Sequence, residues 1–153
     1  LHFSAAVDLV YSDCLQTTKP LETFLNNSSN GNRYEHSIND FTRENMIKCL
    51  PGPMPMWKLS VHDKAGLFDE GMKYAGDWDM FLRMVDSDSK FKKVDIPLGL
   101  YYYNSEGLST SKEYANERIK EEASVFFQYK HIFGETNFNR YKNYFQQGLE
   151  QNE

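Results

Sequence analysis

The chain has 153 residues, of which 40% are hydrophobic and 15% aromatic, and its formal net charge is −5 at pH 7. Aromatic rings supply the buried surface that disordered proteins lack, so this composition predicts about one folded domain and excludes an intrinsically disordered chain. The 17 Lys and Arg against 22 Asp and Glu exclude the basic excess with which proteins bind nucleic acid phosphates. Since no apolar run approaches the roughly 18 residues of a membrane span, no transmembrane segment is predicted.

The cysteine content and the first residues bear on the cellular compartment. Cys14 and Cys49 are too few and too far apart for a zinc site or a disulfide scaffold, which predicts a reduced, cytoplasmic setting. Leu1-His2-Phe3-Ser4 lacks the basic start and apolar run of a signal peptide. Because no initiator Met is present, we expect the sequence to be a piece of a longer protein.

The first fifty residues predict one strand, one loop and one short helix. Apolar and β-branched residues at 7–12 predict a strand that ends at Asp13. The Asn, Ser and Gly residues of 26–32 predict a loop. Apolar positions within 41–50 predict a short helix, which ends at Pro51 because proline lacks an amide donor.

The middle of the chain contains the strongest helical pattern. Residues 53–57 are predicted to be extended, since a residue that precedes proline is pushed out of helical space. Residues 59–65 predict one or two helical turns that end at Gly66. After them, an amphipathic helix with Asp77 as its N-cap is predicted by apolar residues at i, i+3, i+4 and i+7, which are Trp78, Phe81, Leu82 and Val85.

The last third predicts strands followed by two helices. Segments 90–96 and 100–103 suggest two neighbouring strands separated by Pro97. Thr110-Ser111-Lys112-Glu113 matches a capping box, which predicts a helix from there to Gly134. A final helix is predicted by the spacing of Phe138, Tyr141, Phe145 and Leu149.

Short strands separated by helices indicate an α/β class. The strand at 7–12 is nearly all apolar, and a strand of that kind needs neighbours on both sides. The chain offers few strands to provide them.

One short motif in the sequence has the residue types of a catalytic site. No nucleotide-binding glycine loop, zinc-protease motif or nucleophile elbow is present. Gly76-Asp77-Trp78-Asp79 places two carboxylates beside an aromatic ring at a predicted helix start, where the helix dipole favours the anion. A carboxylate next to a ring suits a general base for a sugar hydroxyl. The alternative is that Asp77 is only an N-cap and Trp78 only a core residue.

Five segments within residues 5–111 follow one another in order. They are Val7-Asp8-Leu9-Val10-Tyr11-Ser12-Asp13, Gly52-Pro53-Met54-Pro55-Met56-Trp57, Gly66-Leu67-Phe68-Asp69-Glu70, Gly76-Asp77-Trp78-Asp79-Met80-Phe81-Leu82-Arg83, and Lys90-Phe91 with Pro97-Leu98-Gly99-Leu100-Tyr101-Tyr102-Tyr103, closed by Ser109. In order and spacing this set resembles the second half of the catalytic domain of family 2 glycosyltransferases.

The resemblance implies a partial GT-A fold, the fold of nucleotide-diphospho-sugar transferases, with a short mixed sheet flanked by helices and a C-terminal helical tail. Residues 1–110 would be the acceptor-side half of the domain, with the N-terminal donor-binding half absent. Residues 111–153 would be a helical extension.

The resemblance also implies the chemistry. The parent protein would be an inverting glycosyltransferase of polysaccharide biosynthesis that moves a sugar from a nucleotide-diphosphate donor to a hydroxyl of a glycan or lipid-linked acceptor. Asp77 matches the family's catalytic base, while Gly76 stands where the family usually has Glu, and Lys58 where it usually has Arg. The remaining substrate-binding positions implied by the match are Gly52, Pro53, Met54, Trp57, Trp78 and Asp79. For Trp57 the alternative is a plain core residue.

The implied cofactor is a divalent metal, Mg or Mn, bound in the full-length parent by a motif that this chain does not contain, so no metal ligand is assigned here and the fragment alone is expected to be inactive. We expect a cytoplasmic protein, with a location peripheral to a membrane as an open alternative, and self-association through an open sheet edge. The alternative functions are a non-catalytic carbohydrate-binding or protein-interaction module and a degenerate transferase homologue.

Overall fold

The computed structural model of the chain describes residues 6–34 and 40–150. These residues form a mixed α/β structure, which confirms the predicted class. The strands are β1 (Leu9–Thr17), β2 (Met56–Trp57) and β3 (Phe91–Tyr102), and the helices are α1 (His62–Ala65), α2 (Gly76–Asp86), α3 (Ala115–Gln128) and α4 (Lys130–Glu150). Short 3-10 helices occupy Glu44–Lys48 and Leu59–Val61.

The three strands form one mixed sheet in the order β2-β1-β3. β1 pairs antiparallel with β2 and parallel with β3. The apolar strand predicted near the start of the chain is therefore the central one, with Leu9 and Tyr11 almost completely buried. Within the described residues nothing pairs with the other side of β3, and self-association through that edge stays a prediction.

The strand boundaries differ from the predictions at an irregularity in the sheet. β1 does not end at Asp13 but runs on to Thr17, while its partners in β3 jump from Val94 to Gly99. Pro97 lies within the skipped stretch, where its missing amide breaks no ladder hydrogen bond. The prediction of two strands around Pro97 was wrong for this reason, since the bulge lets one strand continue through it.

Asp13 lies at this irregularity as a buried carboxylate. Its Oδ2 atom accepts a hydrogen bond from Arg33 Nη1 at 3.0 Å, and its Oδ1 atom lies 3.7 Å from Lys93 Nζ. A charge taken out of water in this way needs partners to offset the cost of desolvation. The two cations supply them and tie the loop after β1 to β3.

The short segments before α2 follow the prediction in part. The helix predicted within 41–50 is only the 3-10 helix Glu44–Lys48. Residues 56–57 are extended as predicted and form β2. α1 ends at Ala65, and Gly66 follows with a φ of 76° while its amide donates to the His62 carbonyl at 3.0 Å.

α2 forms where its apolar periodicity predicts it, but its N-cap is Ala75 rather than Asp77. Asp77 lies inside the first turn, and its Oδ1 atom accepts a hydrogen bond from the neighbouring Trp78 amide at 2.7 Å. The predicted capping role of Asp77 was therefore wrong by two positions. Asp77 nevertheless satisfies one of the first-turn amides that have no partner within the helix.

The boundaries of the last two helices also differ from the predictions. The capping box at 110–113 does not start α3, which begins at Ala115. Instead, Ser111 Oγ accepts a hydrogen bond from the Glu113 amide in a turn before the helix. α3 ends at Gln128, and Gly134, with a φ of 70°, interrupts the following helix α4. The predicted stop at Gly134 is confirmed by this interruption. The break after Gln128 was not predicted, because the apolar periodicity of the sequence runs across it.

An aromatic cluster joins α2 to the C-terminal helices. Phe126 of α3 is fully buried and stacks on Phe133 and Phe145 with ring centroids 5.6 and 4.3 Å away. Trp78 of α2 stacks on Phe133 at 5.9 Å and donates its Nε1–H to the Met46 carbonyl at 2.7 Å. Residues beyond 111 therefore share one core with the sheet-bearing part of the chain.

Replacement of Phe126 by alanine tests this shared core. We expect Phe126→Ala to lower the free energy of unfolding by about 3–5 kcal/mol, because it removes a buried ring that contacts α4 and leaves a cavity. Urea denaturation followed by circular dichroism measures the change. The control is Leu59→Ala, whose side chain is 83% exposed and which should shift stability by no more than about 0.5 kcal/mol. Equal effects of the two substitutions would contradict the shared core.

Candidate functional site

A cleft of about 580 Å³ opens beside the first turn of α2. Its walls come from the loop after Glu44–Lys48, from the end of β3 with the turn that follows it, and from α3 and α4. Its lining includes Lys48, Gly52, Pro53, Asp77, Ser109, Arg118 and Glu122. These positions span about half of the sequence, so the cleft exists only in the folded chain.

Four of the predicted site residues line this cleft. Asp77 lies at its mouth, and Gly52 and Pro53 form part of one wall. Trp78 also borders the cleft, although it is only 6% exposed and most of its ring belongs to the aromatic core. Trp78 is therefore both a core residue and part of the cleft wall, through different parts of its side chain.

Met54 and Trp57 do not lie among the cleft residues. A Cβ atom on Gly99 would collide with the Met54 Cε atom, so Met54 packs tightly against the backbone of β3. Trp57 donates its Nε1–H to His62 Nε2 at 3.0 Å and makes an edge contact with Phe81. Their assignment to substrate stays a prediction, and the cleft geometry does not support it.

Asp79 is likewise directed into the protein. It is 3% exposed, and its Oδ2 atom accepts a hydrogen bond from Arg83 Nε at 2.9 Å. Its Oδ1 atom accepts one from the Tyr129 hydroxyl at 2.8 Å, and Arg83 Nη1 donates to the Ala65 carbonyl. Burial, followed by the bond to Asp79, raises the pKa of Tyr129 above its usual range. The network ties α2 to α1 and to the α3–α4 junction.

Asp77 is the exposed carboxylate of the pair in Gly76-Asp77-Trp78-Asp79. It lies in the first turn of α2, where the helix dipole stabilises negative charge. Its charge acts on other groups around the cleft. Burial and then the Asp77 charge raise the pKa of Cys49. Burial is also the first cause of the raised pKa of Tyr34, to which Asp77 adds the last and smallest contribution. Asp77 therefore combines access to solvent with influence over the cleft interior.

Glu122 is a second carboxyl group in the cleft, and the sequence analysis missed it. Burial raises the pKa of Glu122, the Arg118 guanidinium lowers it, and the charges of Asp77 and Glu121 raise it further. The only sequence signal was an Arg and a Glu four residues apart on α3, a spacing that is common on solvated helix surfaces. Nothing in that pattern distinguishes a cleft residue from a surface residue.

Glu121, the residue before it, holds the start of α2 in place. One of its carboxylate oxygens, Oε1, accepts hydrogen bonds from the Tyr74 and Ala75 amides at 2.6 and 2.5 Å, and Oε2 accepts one from the Lys73 amide at 2.9 Å. These amides belong to the segment just before α2, which begins at Gly76, so they need an acceptor from another part of the chain. Glu121 thus fixes α3 against the loop that leads to Asp77.

Tyrosine rings cover much of the remaining cleft wall. Tyr34 and Tyr101 face each other with centroids 4.5 Å apart and planes inclined by 47°. Tyr74 and Tyr103 also border the cleft. Rings with a polar hydroxyl group offer both an apolar face and a hydrogen-bonding edge, a combination that suits a polyhydroxylated ligand.

The described residues form no site for the divalent metal that the resemblance implies. Within residues 6–34 and 40–150, no group of three or more His, Cys, Asp or Glu side chains is arranged to hold a metal ion. The residues present therefore do not fit the divalent metal of the resemblance.

None of the described helices is both long and apolar enough to cross a membrane.

Comparisons with protein-family models, with curated proteins and with solved structures give no match for this chain. The resemblance to family 2 glycosyltransferases consequently rests on the five sequence segments alone.

The clamp formed by Glu121 can be tested by hydrogen exchange. We expect Glu121→Ala to lower the free energy of unfolding by about 1–3 kcal/mol, because it leaves amides without their charged acceptor. The amides of residues 73–75 should exchange faster, which amide-resolved NMR exchange measures. Glu117→Ala, a substitution of an exposed residue on the same helix, serves as the control. Unchanged protection of these amides in Glu121→Ala would refute the clamp.

The electrostatic link between Asp77 and Glu122 predicts a direction of titration. In wild-type protein the carboxyl carbon of Glu122, observed by NMR, should titrate above the ordinary value of 4.5. Asp77→Asn should lower that pKa, because it removes a charge that opposes ionisation. A raised folded-state pKa means that the contribution of Glu122 to stability is fully present below 4.5 and is lost as the pH rises through the raised value. An unchanged pKa of Glu122 in Asp77→Asn would disprove the link.

Proposed function

We propose that this chain is the acceptor-side part of a family 2 glycosyltransferase domain of the GT-A type. The activity would be inverting transfer of a sugar from a nucleotide-diphosphate donor to a hydroxyl of a glycan or lipid-linked acceptor. One observation carries the proposal. Gly52, Asp77 and Ser109, which come from three separate parts of the family pattern, line the same cleft.

In this proposal Asp77 is the general base. Its exposed carboxylate accepts the proton of an acceptor hydroxyl as the hydroxyl oxygen attacks the anomeric carbon of the donor. The bond from that carbon to the diphosphate oxygen breaks, the diphosphate leaves with the electron pair, and attack from the opposite side inverts the anomeric configuration. The proton then passes from Asp77 to solvent. A base in this role must lie within hydrogen-bond reach of the hydroxyl, and the position of Asp77 at the cleft mouth allows that.

Other residues of the cleft position the acceptor. The tyrosine pair Tyr34 and Tyr101 provides apolar surface for a sugar ring, and the hydroxyl of Ser109 lies within the same lining. The proposal assigns donor binding to a region of the parent protein that precedes these segments, so no residue of this chain is given that role.

A non-catalytic carbohydrate-binding module is the second candidate function. The tyrosine rings around the cleft favour it, because stacking on rings is sufficient to bind sugar without any transfer. The two functions differ in their consumption of donor. A transferase releases nucleoside diphosphate in the presence of donor and acceptor, whereas a binding module leaves the donor intact.

Replacement of Asp77 tests the proposed mechanism. In the full-length protein we expect Asp77→Asn to lower transfer by about 10²–10⁴-fold, the range by which a general base accelerates a reaction. Binding of the donor should stay near the wild-type level, because Asp77 is assigned to the acceptor. Mass spectrometry of products from a panel of UDP-, GDP- and dTDP-sugars measures transfer, and calorimetry measures donor binding.

The matched control is Asp63→Asn, a substitution of an exposed residue in α1 that should leave transfer unchanged. Sugar transfer by Asp77→Asn at the wild-type rate would contradict the assignment of Asp77 as the general base. Donor that stays intact in wild-type protein while simple sugars still bind would favour the binding module.

A further inference from the structure

We infer that Arg118 is a positioning residue, which holds Ser109 where the Ser109 hydroxyl group binds a sugar acceptor. The inference deepens the proposed function and rests on it, since it takes the cleft to be an acceptor site. It is carried by the contacts that Arg118 makes, by the turn that carries Ser109 and by the place of both residues in the lining of the cleft.

The turn formed by residues 104–111 follows β3 and carries Ser109. The Asn104 carbonyl accepts hydrogen bonds from the Gly107 amide at 3.1 Å and from the Thr110 hydroxyl group. The Gly107 carbonyl accepts one from the Thr110 amide at 3.1 Å. These bonds fix the shape of the turn, but they do not fix its position against the rest of the protein.

Arg118 of α3 supplies that position. Its Nη1 atom donates hydrogen bonds to the Leu108 carbonyl at 2.9 Å and to the Ser111 carbonyl at 3.3 Å. Among the residues that the structure describes, no other side chain of a helix or strand forms a hydrogen bond or an ion pair with this turn. The two carbonyls lie on either side of Ser109 in the sequence, so the guanidinium holds the turn at the position of Ser109.

α3 fixes two edges of the cleft through side chains three residues apart, which lie on one face of a helix. Glu121 accepts hydrogen bonds from the amides of residues 73–75, which lead to Asp77. Arg118 holds the turn that carries Ser109. Because Asp77 and Ser109 both line the cleft, their separation is set by one helix.

The Ser109 hydroxyl group is accessible to a ligand. Ser109 is exposed and lines the cleft, and no described residue forms a hydrogen bond with its hydroxyl group. A serine hydroxyl group donates one hydrogen bond and accepts others, whereas an ionised carboxylate only accepts. In the proposed function Asp77 takes the attacking hydroxyl group, and Ser109 binds a second hydroxyl group of the same sugar.

Arg118 itself also lines the cleft. Burial raises the pKa of Glu122, and the charge of Arg118 lowers it. A direct contact between Arg118 and the ligand is therefore a second route by which its loss would weaken binding. The two routes differ once the Ser109 hydroxyl group has been removed, because an effect that acts through Ser109 then disappears and a direct contact does not.

A double-mutant cycle in the full-length protein tests the inference. The probes are the methyl β-glycosides of glucose, galactose and N-acetylglucosamine, and NMR titration measures their dissociation constants. We expect Arg118→Gln and Ser109→Ala each to weaken binding of these glycosides about tenfold, the order expected for loss of one hydrogen bond. The double variant should bind no more weakly than either single variant, a result that general damage to the fold would not give.

Two further variants complete the cycle. Lys120→Gln, at an exposed position of α3, should match wild type. Arg118→Lys keeps a charged donor and takes the place of Arg118→Gln in the cycle if that variant does not fold.

Wild-type affinity in Arg118→Gln or in Ser109→Ala would overturn the inference. Losses that multiply to about a hundredfold in the double variant would also overturn it, because Arg118 would then act other than through Ser109. Absence of glycoside binding by wild-type protein would overturn it too, and in that case the proposed function still stands if sugar transfer depends on Asp77. Absence of both binding and Asp77-dependent transfer would overturn the inference and the proposed function together.

Discussion

The hydrogen bonds from the amides of residues 73–75 to Glu121 are the constraint on which the geometry of the cleft depends. Backbone amides outside helices and sheets need acceptors from elsewhere, and these three amides lie just before α2, which begins at Gly76. Glu121 supplies the acceptors from a helix that lies more than forty residues further along the chain. Through this contact the position of Asp77 is set by α3 as well as by α2.

The carboxylates around α2 and the sheet form two groups that differ in burial. Asp13 and Asp79 are buried, and each lies against cationic or hydroxyl partners, as the cost of desolvating a charge requires. Asp77 and Glu122 instead line the cleft. Asp77 and Asp79 are two residues apart in one motif, yet one faces the cleft and the other stabilises the core. Burial, rather than residue type, distinguishes them.

The C-terminal helices contribute to the cleft as well as to the core. Arg118, Glu122 and Phe145 line it, although all three lie beyond the segments of the family resemblance. In the proposed function, the segments that resemble the family supply the base, and the helices that follow supply part of the cleft wall.

The sequence by itself determined the α/β class, the central position of the apolar strand at Leu9 and Tyr11, the helix that carries Trp78 and the prominence of Asp77. These features follow from local composition and periodicity, which report directly which residues must be buried. Only the tertiary structure decided that Asp79 bonds to Tyr129, that Glu121 clamps the start of α2, that Glu122 faces the cleft, and that β3 continues past Pro97. Each of these depends on a partner remote in sequence, and a contact between remote residues leaves no local period from which it could be read.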